Sequence, residues 1–79
     1  MKKIKIGIAD DNREFCDILT DLLSEREDID LVFVSHDGNK TIELIKTKQP
    51  DILILDMIMP YLDGLGVLEE INEMELEKY

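Results

Sequence analysis

Asp51-Ile52-Leu53-Ile54-Leu55-Asp56 is the stretch on which the fold turns. Four consecutive apolar residues between two acids are too few for a helix, and they lack the alternation of a strand with one wet face. Such a run is expected of a strand covered on both faces, as in parallel α/β sheets. Pro50 stands just before it and stops the helix that precedes. Working outward toward the N-terminus, Leu31-Val32-Phe33-Val34 is a β-branched and aromatic run that predicts a second strand. Ile4, Ile6 and Ile8 alternate through a first strand that ends in the turn-forming cluster Asp10-Asp11-Asn12.

Helical spacing fills the intervals. Phe15, Ile18, Leu19, Leu22 and Leu23 predict an amphipathic helix from Arg13 to about Glu25, capped by Asp11 or Asn12, with this apolar stripe in the core. Asp37-Gly38-Asn39 supplies turn chemistry before a short helix through Ile42 and Ile45. Beyond Pro60, Asp63-Gly64 makes a turn or cap, and Leu65, Leu68 and Ile71, with Val67 and Met74, mark a third helix. Glu69, Glu70, Glu73, Glu75 and Glu77 crowd its end; acid there opposes the macrodipole, so a solvated, fraying terminus is expected.

The order is therefore β-α-β-α-β-α. Parallel strands need crossovers, and right-handed ones with helices on opposite faces put the first strand in the middle, giving the order 2-1-3. Ligands of such α/β sheets bind beyond the carboxyl ends of the strands where the winding reverses, here between strands one and three. Asp10, Asp11 and Asp56 end those two strands.

Composition narrows the chemistry. The 79 residues carry 19 acidic against 9 basic side chains, a formal charge of −10, which repels nucleic-acid backbones and anionic membranes; no direct nucleic-acid contact is expected. The apolar runs fall far short of the ~20 residues of a membrane span, and no secretory signal pattern follows Met1, so a cytoplasmic protein is expected. Cys16 is the only cysteine, which excludes an intramolecular disulfide and any Cys-x-x-Cys metal site. It reads as a partly buried small side chain, and His36, the lone histidine, as an ordinary loop residue.

Three carboxylates brought together would repel one another, and a hard divalent cation resolves the conflict. Mg²⁺ takes oxygen ligands, keeps several waters, and uses one or two carboxylates with phosphate oxygens. Asp also serves as a nucleophile in phosphoryl transfer, and Asp56, alone at its strand end and facing the other two, is the candidate. Any one of these acids reads more simply as a helix cap. Their convergence at one switch point is what argues for chemistry.

Asp10-Asp11 after the first strand, Asp56 after the third, then Met59-Pro60 and Asp63-Gly64, together resemble the receiver domain of two-component response regulators. More narrowly, Ile8-Ala9-Asp10-Asp11-Asn12-Arg13-Glu14 and Asp56-Met57-Ile58-Met59-Pro60-Tyr61-Leu62-Asp63-Gly64-Leu65 are similar to the sporulation transcription regulators of endospore-forming bacteria. The resemblance implies a flavodoxin-like fold and a phosphoacceptor role for Asp56, with phosphate arriving from a histidine kinase or phosphorelay phosphotransferase. It implies Mg²⁺ held by Asp10, Asp11, Asp56 and the backbone carbonyl of Ile58. It also implies that Met57 and Met59 line the loop and that Gly64 permits close packing at the start of the third helix. Against that family, the last two strands and helices, with their hydroxyl residue and lysine, are expected to lie outside these 79 residues, as is a DNA-binding output domain. Lys78 follows the third helix and does not take that lysine's place.

Two rival readings remain. A Mg²⁺-dependent phosphatase with an Asp nucleophile, of the haloacid dehalogenase type, wants Asp-x-Asp after the first strand, where these acids are adjacent. Alternatively the chain is a structural, self-associating unit, a homodimer formed by sheet extension or by exchange of elements, because Ile52–Leu55 would be an open apolar edge.

Overall fold

The computed structural model describes residues 2–56, 59 and 62–73. The elements alternate as expected: β1 (Ile4–Ala9), α1 (Arg13–Ser24), β2 (Ile29–Ser35), α2 (Gly38–Lys48), β3 (Ile52–Leu55) and α3 (Gly64–Glu73). The three strands form one parallel sheet in the order β2-β1-β3, the doubly wound arrangement read from the crossovers.

The pleat assigns the side chains to faces. Ala9, Phe33, Leu53 and Leu55 share one face, where they meet Ile42 and Ile45 of α2, Val67 and Ile71 of α3, and Met59. On the other face lie Ile6 and Ile8, with Ile52 and Ile54 beside them in register. Met59, between β3 and α3, is buried in this core, whereas Met57 lies outside the described residues.

Local chemistry sets the element ends. The Asn12 side chain accepts from Phe15 N–H at 3.0 Å and caps α1, which settles the choice between Asp11 and Asn12. Asp37 does the same for α2, accepting from Lys40 N–H at 2.8 Å. That helix closes on Gln49 in the left-handed region at φ 45°, ahead of Pro50. In front of α3, the Asp63 carboxylate accepts from Gly66 N–H at 2.9 Å. Gly38 opens α2 directly against the Leu62 carbonyl, where a Cβ has no room. Gly64, expected to permit close packing at the start of the third helix, is buried there.

Packing corrects the burial expected of α1 and of β3, and it sets the buried edge of α3. On α1, Phe15, Ile18 and Leu22 are exposed, the last two by 55% and 60%, while Cys16 is buried and Leu19 and Leu23 are half-buried. The apolar stripe is wider than the contact with the sheet, and only its 16-19-23 edge reaches it. On α3, Leu65 and Leu68 are exposed, and Gly64, Val67 and Ile71 form the buried edge. Finally, β3 is not covered on both faces: Ile52 is 47% exposed, because β3 flanks the sheet and α1 lies over β2. Among the described strands β1 is the most buried, with β2 on one side and β3 on the other.

Among the described residues, the buried polar side chains Ser35 and Thr41 are both hydrogen-bonded. Thr41 Oγ1 lies 2.7 Å from Asp37 O and 3.0 Å from Ser35 Oγ, and Ser35 Oγ donates to Asp37 O at 3.0 Å. Among the described residues, no buried side-chain polar atom lacks a partner. The contrast between the core and the outer stripe of α1 is measurable by urea denaturation: Ile45→Ala, at a fully buried position, lowers stability by about 2–5 kcal/mol. Leu22→Ala on the open face changes it by no more than about 0.5 kcal/mol.

Candidate metal and phosphoacceptor centre

Two backbone hydrogen bonds carry the sheet one residue past its strand ends. Asp10 N–H donates to Ser35 O at 3.0 Å, and Asp56 N–H donates to Ala9 O at 2.8 Å. The first holds Asp10 beside β2 and the second holds Asp56 beside β1, so both acids emerge at the carboxyl edge of the sheet. At the opposite end of β3, Asp51 N–H donates to Lys5 O at 2.7 Å and Lys5 N–H donates to Asp51 Oδ2 at 2.8 Å, which locks the register that puts Leu55 opposite Ala9.

Asp10, Asp11 and Asp56 each offer a carboxylate oxygen, and these three atoms lie within 4.8 Å of one another. Asp10 and Asp56 are half-buried and Asp11 is exposed. The backbone leaves strand geometry after Ala9, and the turn is closed by Asn12 N–H donating to Asp10 Oδ1 at 2.9 Å. At this spacing each pair of like charges costs about 1 kcal/mol in water-like surroundings and about 3 kcal/mol where the effective dielectric is lower.

The donor set fits a hard divalent cation. All three groups are oxygen donors, and octahedral Mg²⁺ at about 2.1 Å holds its ligand oxygens about 3–4.2 Å apart, within a small side-chain adjustment of the present cluster. The fourth residue of the expected ligand set, Ile58, lies outside the described residues.

Sequence reasoning missed the surroundings of this cluster. His36 Nδ1 lies 3.0 Å from Asp10 O, and Cys16 Sγ lies 3.4 Å from the same atom and 3.9 Å from the ring nitrogen. Burial pushes the Cys16 thiol above its ordinary range, and the nearby Asp10 carboxylate adds to the rise. Neither residue has a spacing signal, because α1 and the end of β2 meet β1 only through the fold.

Residues 6–78 match the family described as the response regulator receiver domain. Among solved structures, the NarL signal receiver domain from Mycobacterium tuberculosis is 32% identical with a TM-score of 0.89, over 96% of this chain and 61% of that one. The response regulator domain of CheB from Thermotoga maritima is 26% identical with a TM-score of 0.87, over 94% and 55%. A chain of the CheX–CheY–BeF3–Mg²⁺ complex from Borrelia burgdorferi is 26% identical with a TM-score of 0.83, over 94% and 56%. The present chain thus spans between 55% and 61% of the length of these three. With a match that runs through nearly its whole length and a sheet wound in the order β2-β1-β3, the chain belongs to the response regulator receiver domain family.

Proposed function

We propose that the chain is a Mg²⁺-dependent phosphoacceptor in which Asp56 receives a phosphoryl group from the phosphohistidine of a kinase or phosphotransferase. The observation that carries this reading is the meeting of Asp10, Asp11 and Asp56 within 4.8 Å, from two strands, at the switch point of the sheet. Family membership supports it, as does the presence of Mg²⁺ in the Borrelia burgdorferi complex.

In the proposed transfer an Asp56 oxygen attacks phosphorus, an O–P bond forms and the donor's N–P bond breaks. The electron pair stays on the imidazole nitrogen, which takes up a proton. Asp10 and Asp11 hold the cation with Asp56, and the Ile58 carbonyl, two residues on, is the fourth proposed ligand. When bound, Mg²⁺ neutralises charge on the carboxylates and on the incoming phosphoryl oxygens. Receivers are signalling domains rather than enzymes in their own right, and the proposed role is of that kind. The finer reading, a regulator of sporulation transcription, rests on the resemblance of residues 8–14 and 56–65, and a cytoplasmic setting rests on the short apolar runs and the residues that follow Met1. Among the described residues, no helix is long and apolar enough to cross a membrane.

A second reading concerns assembly. Ile52 on the flanking strand and Ile18 and Leu22 on α1 are all exposed, which favours pairing of two copies through these surfaces.

Three measurements bear on these readings. Incubation with acetyl phosphate and Mg²⁺, followed by mass-spectrometric mapping, should modify Asp56, and Asp56→Asn should abolish the modification; a phosphoryl group on any other residue refutes the assignment. In thermal melts, Asp11→Asn should stabilise the metal-free chain by about 1 kcal/mol through relief of repulsion. The same change should erase most of the gain, about 2.7 kcal/mol at a hundredfold excess of Mg²⁺ over its Kd, shown by the parent chain. Self-association predicts a dimer mass in light scattering that reverts to monomer in Ile52→Lys; a monomer at all concentrations removes the second reading.

A further inference from the structure

Adjacent residues of a strand point to opposite faces, so Asp10 and Asp11 can aim at one cation only if the chain turns at the peptide that joins them. That peptide lies past the last paired residue of β1. Its carbonyl, Asp10 O, is met by two side chains from different elements: His36 Nδ1 at 3.0 Å, just after β2, and Cys16 Sγ at 3.4 Å, from α1. A carbonyl oxygen only accepts, so His36 carries a proton on Nδ1 and donates it, and the Cys16 thiol donates alongside.

The Cys16 side chain is 1% exposed and His36 is half-buried, so water competes poorly for the bond that closes this turn. Asn12 N–H holds Asp10 Oδ1 from the other side. The Asp10–Asp11 peptide is therefore fixed at its carbonyl, and the Asp10 carboxylate that precedes it is fixed at one oxygen.

We infer that His36, backed by Cys16, is a positioning residue for the acidic cluster: it pins the peptide between Asp10 and Asp11 so that both carboxylates converge with that of Asp56. The inference rests on the reading of the cluster as a cation site. His36 touches neither cation nor phosphoryl group; it acts through the backbone, as second partners of metal ligands do.

Calorimetric titration of the chain with MgCl2 tests this with three variants. His36→Asn keeps a donor near the place of Nδ1 and should retain the wild-type affinity. His36→Leu has no donor and His36→Gln carries its amide one bond too far, so each should bind Mg²⁺ about tenfold more weakly. Wild-type affinity in His36→Leu, or equal affinities in His36→Asn and His36→Gln, overturns the inference while leaving the cation site standing. If His36→Leu does not fold, the Asn and Gln pair alone decides. A wild-type chain without saturable Mg²⁺ binding overturns the cation reading itself, and the positioning role with it.

Discussion

The hydrogen bonds on the two sides of β1 are the constraint on which the rest of the molecule depends. One edge of this strand is committed to β2 and the other to β3, and at its carboxyl end the two ladders diverge: Asp10 N–H goes to Ser35 while Ala9 O receives Asp56 N–H. A single peptide unit thus fixes both halves of the acidic cluster. Ala9 is fully buried at this junction, with α2 and α3 packed over its face. The distance between Asp10 and Asp56 is therefore a property of the sheet rather than of the loops. Rigid elements hold such constellations more accurately than loops do.

The charge distribution shows where this geometry costs stability. Elsewhere on the surface, acids are isolated or paired: Arg26 donates to both oxygens of Asp28, at 3.1 and 3.0 Å, and this bond holds the Asp28 carboxyl below its usual range. In the cluster the charge is instead concentrated, with three carboxylates brought within 4.8 Å of one another. Functional sites commonly break local rules that the remainder of a fold obeys.

Much of this was legible from residue order. The three strands, the order 2-1-3 and the placing of Asp10, Asp11 and Asp56 at one edge all follow from hydrophobic periodicity and the handedness of crossovers, and the structure has them so. Side-chain burial was less legible, for a physical reason. A helix can carry an apolar stripe wider than its contact, and periodicity does not say which edge is used; Cys16, a weak hydrophobe by type, is buried where Ile18 and Leu22 are not. The tight approach of Gly38 to the Leu62 carbonyl had no sequence signal either, since it joins two segments that only the fold brings together. His36 was invisible as anything but a loop residue, because its partner is a backbone atom 26 positions away.

The pairing of β1 with β2 steps between Ile6 and Gly7, from Leu31 opposite Ile6 to Phe33 opposite Gly7, which leaves Val32 without a place in the ladder. Val32 and Phe33 consequently lie side by side against the α2–α3 core, although they are neighbours in sequence. The strand is two segments of opposite parity: residues before the bulge alternate on one count and those after it on the other. Because of that change of phase, Phe33 covers Gly7 and Ser35 reaches Thr41. The downstream segment, which delivers His36 to the Asp10 carbonyl, thus faces the sheet on the count that begins at Phe33 and not on the one that begins at Ile29.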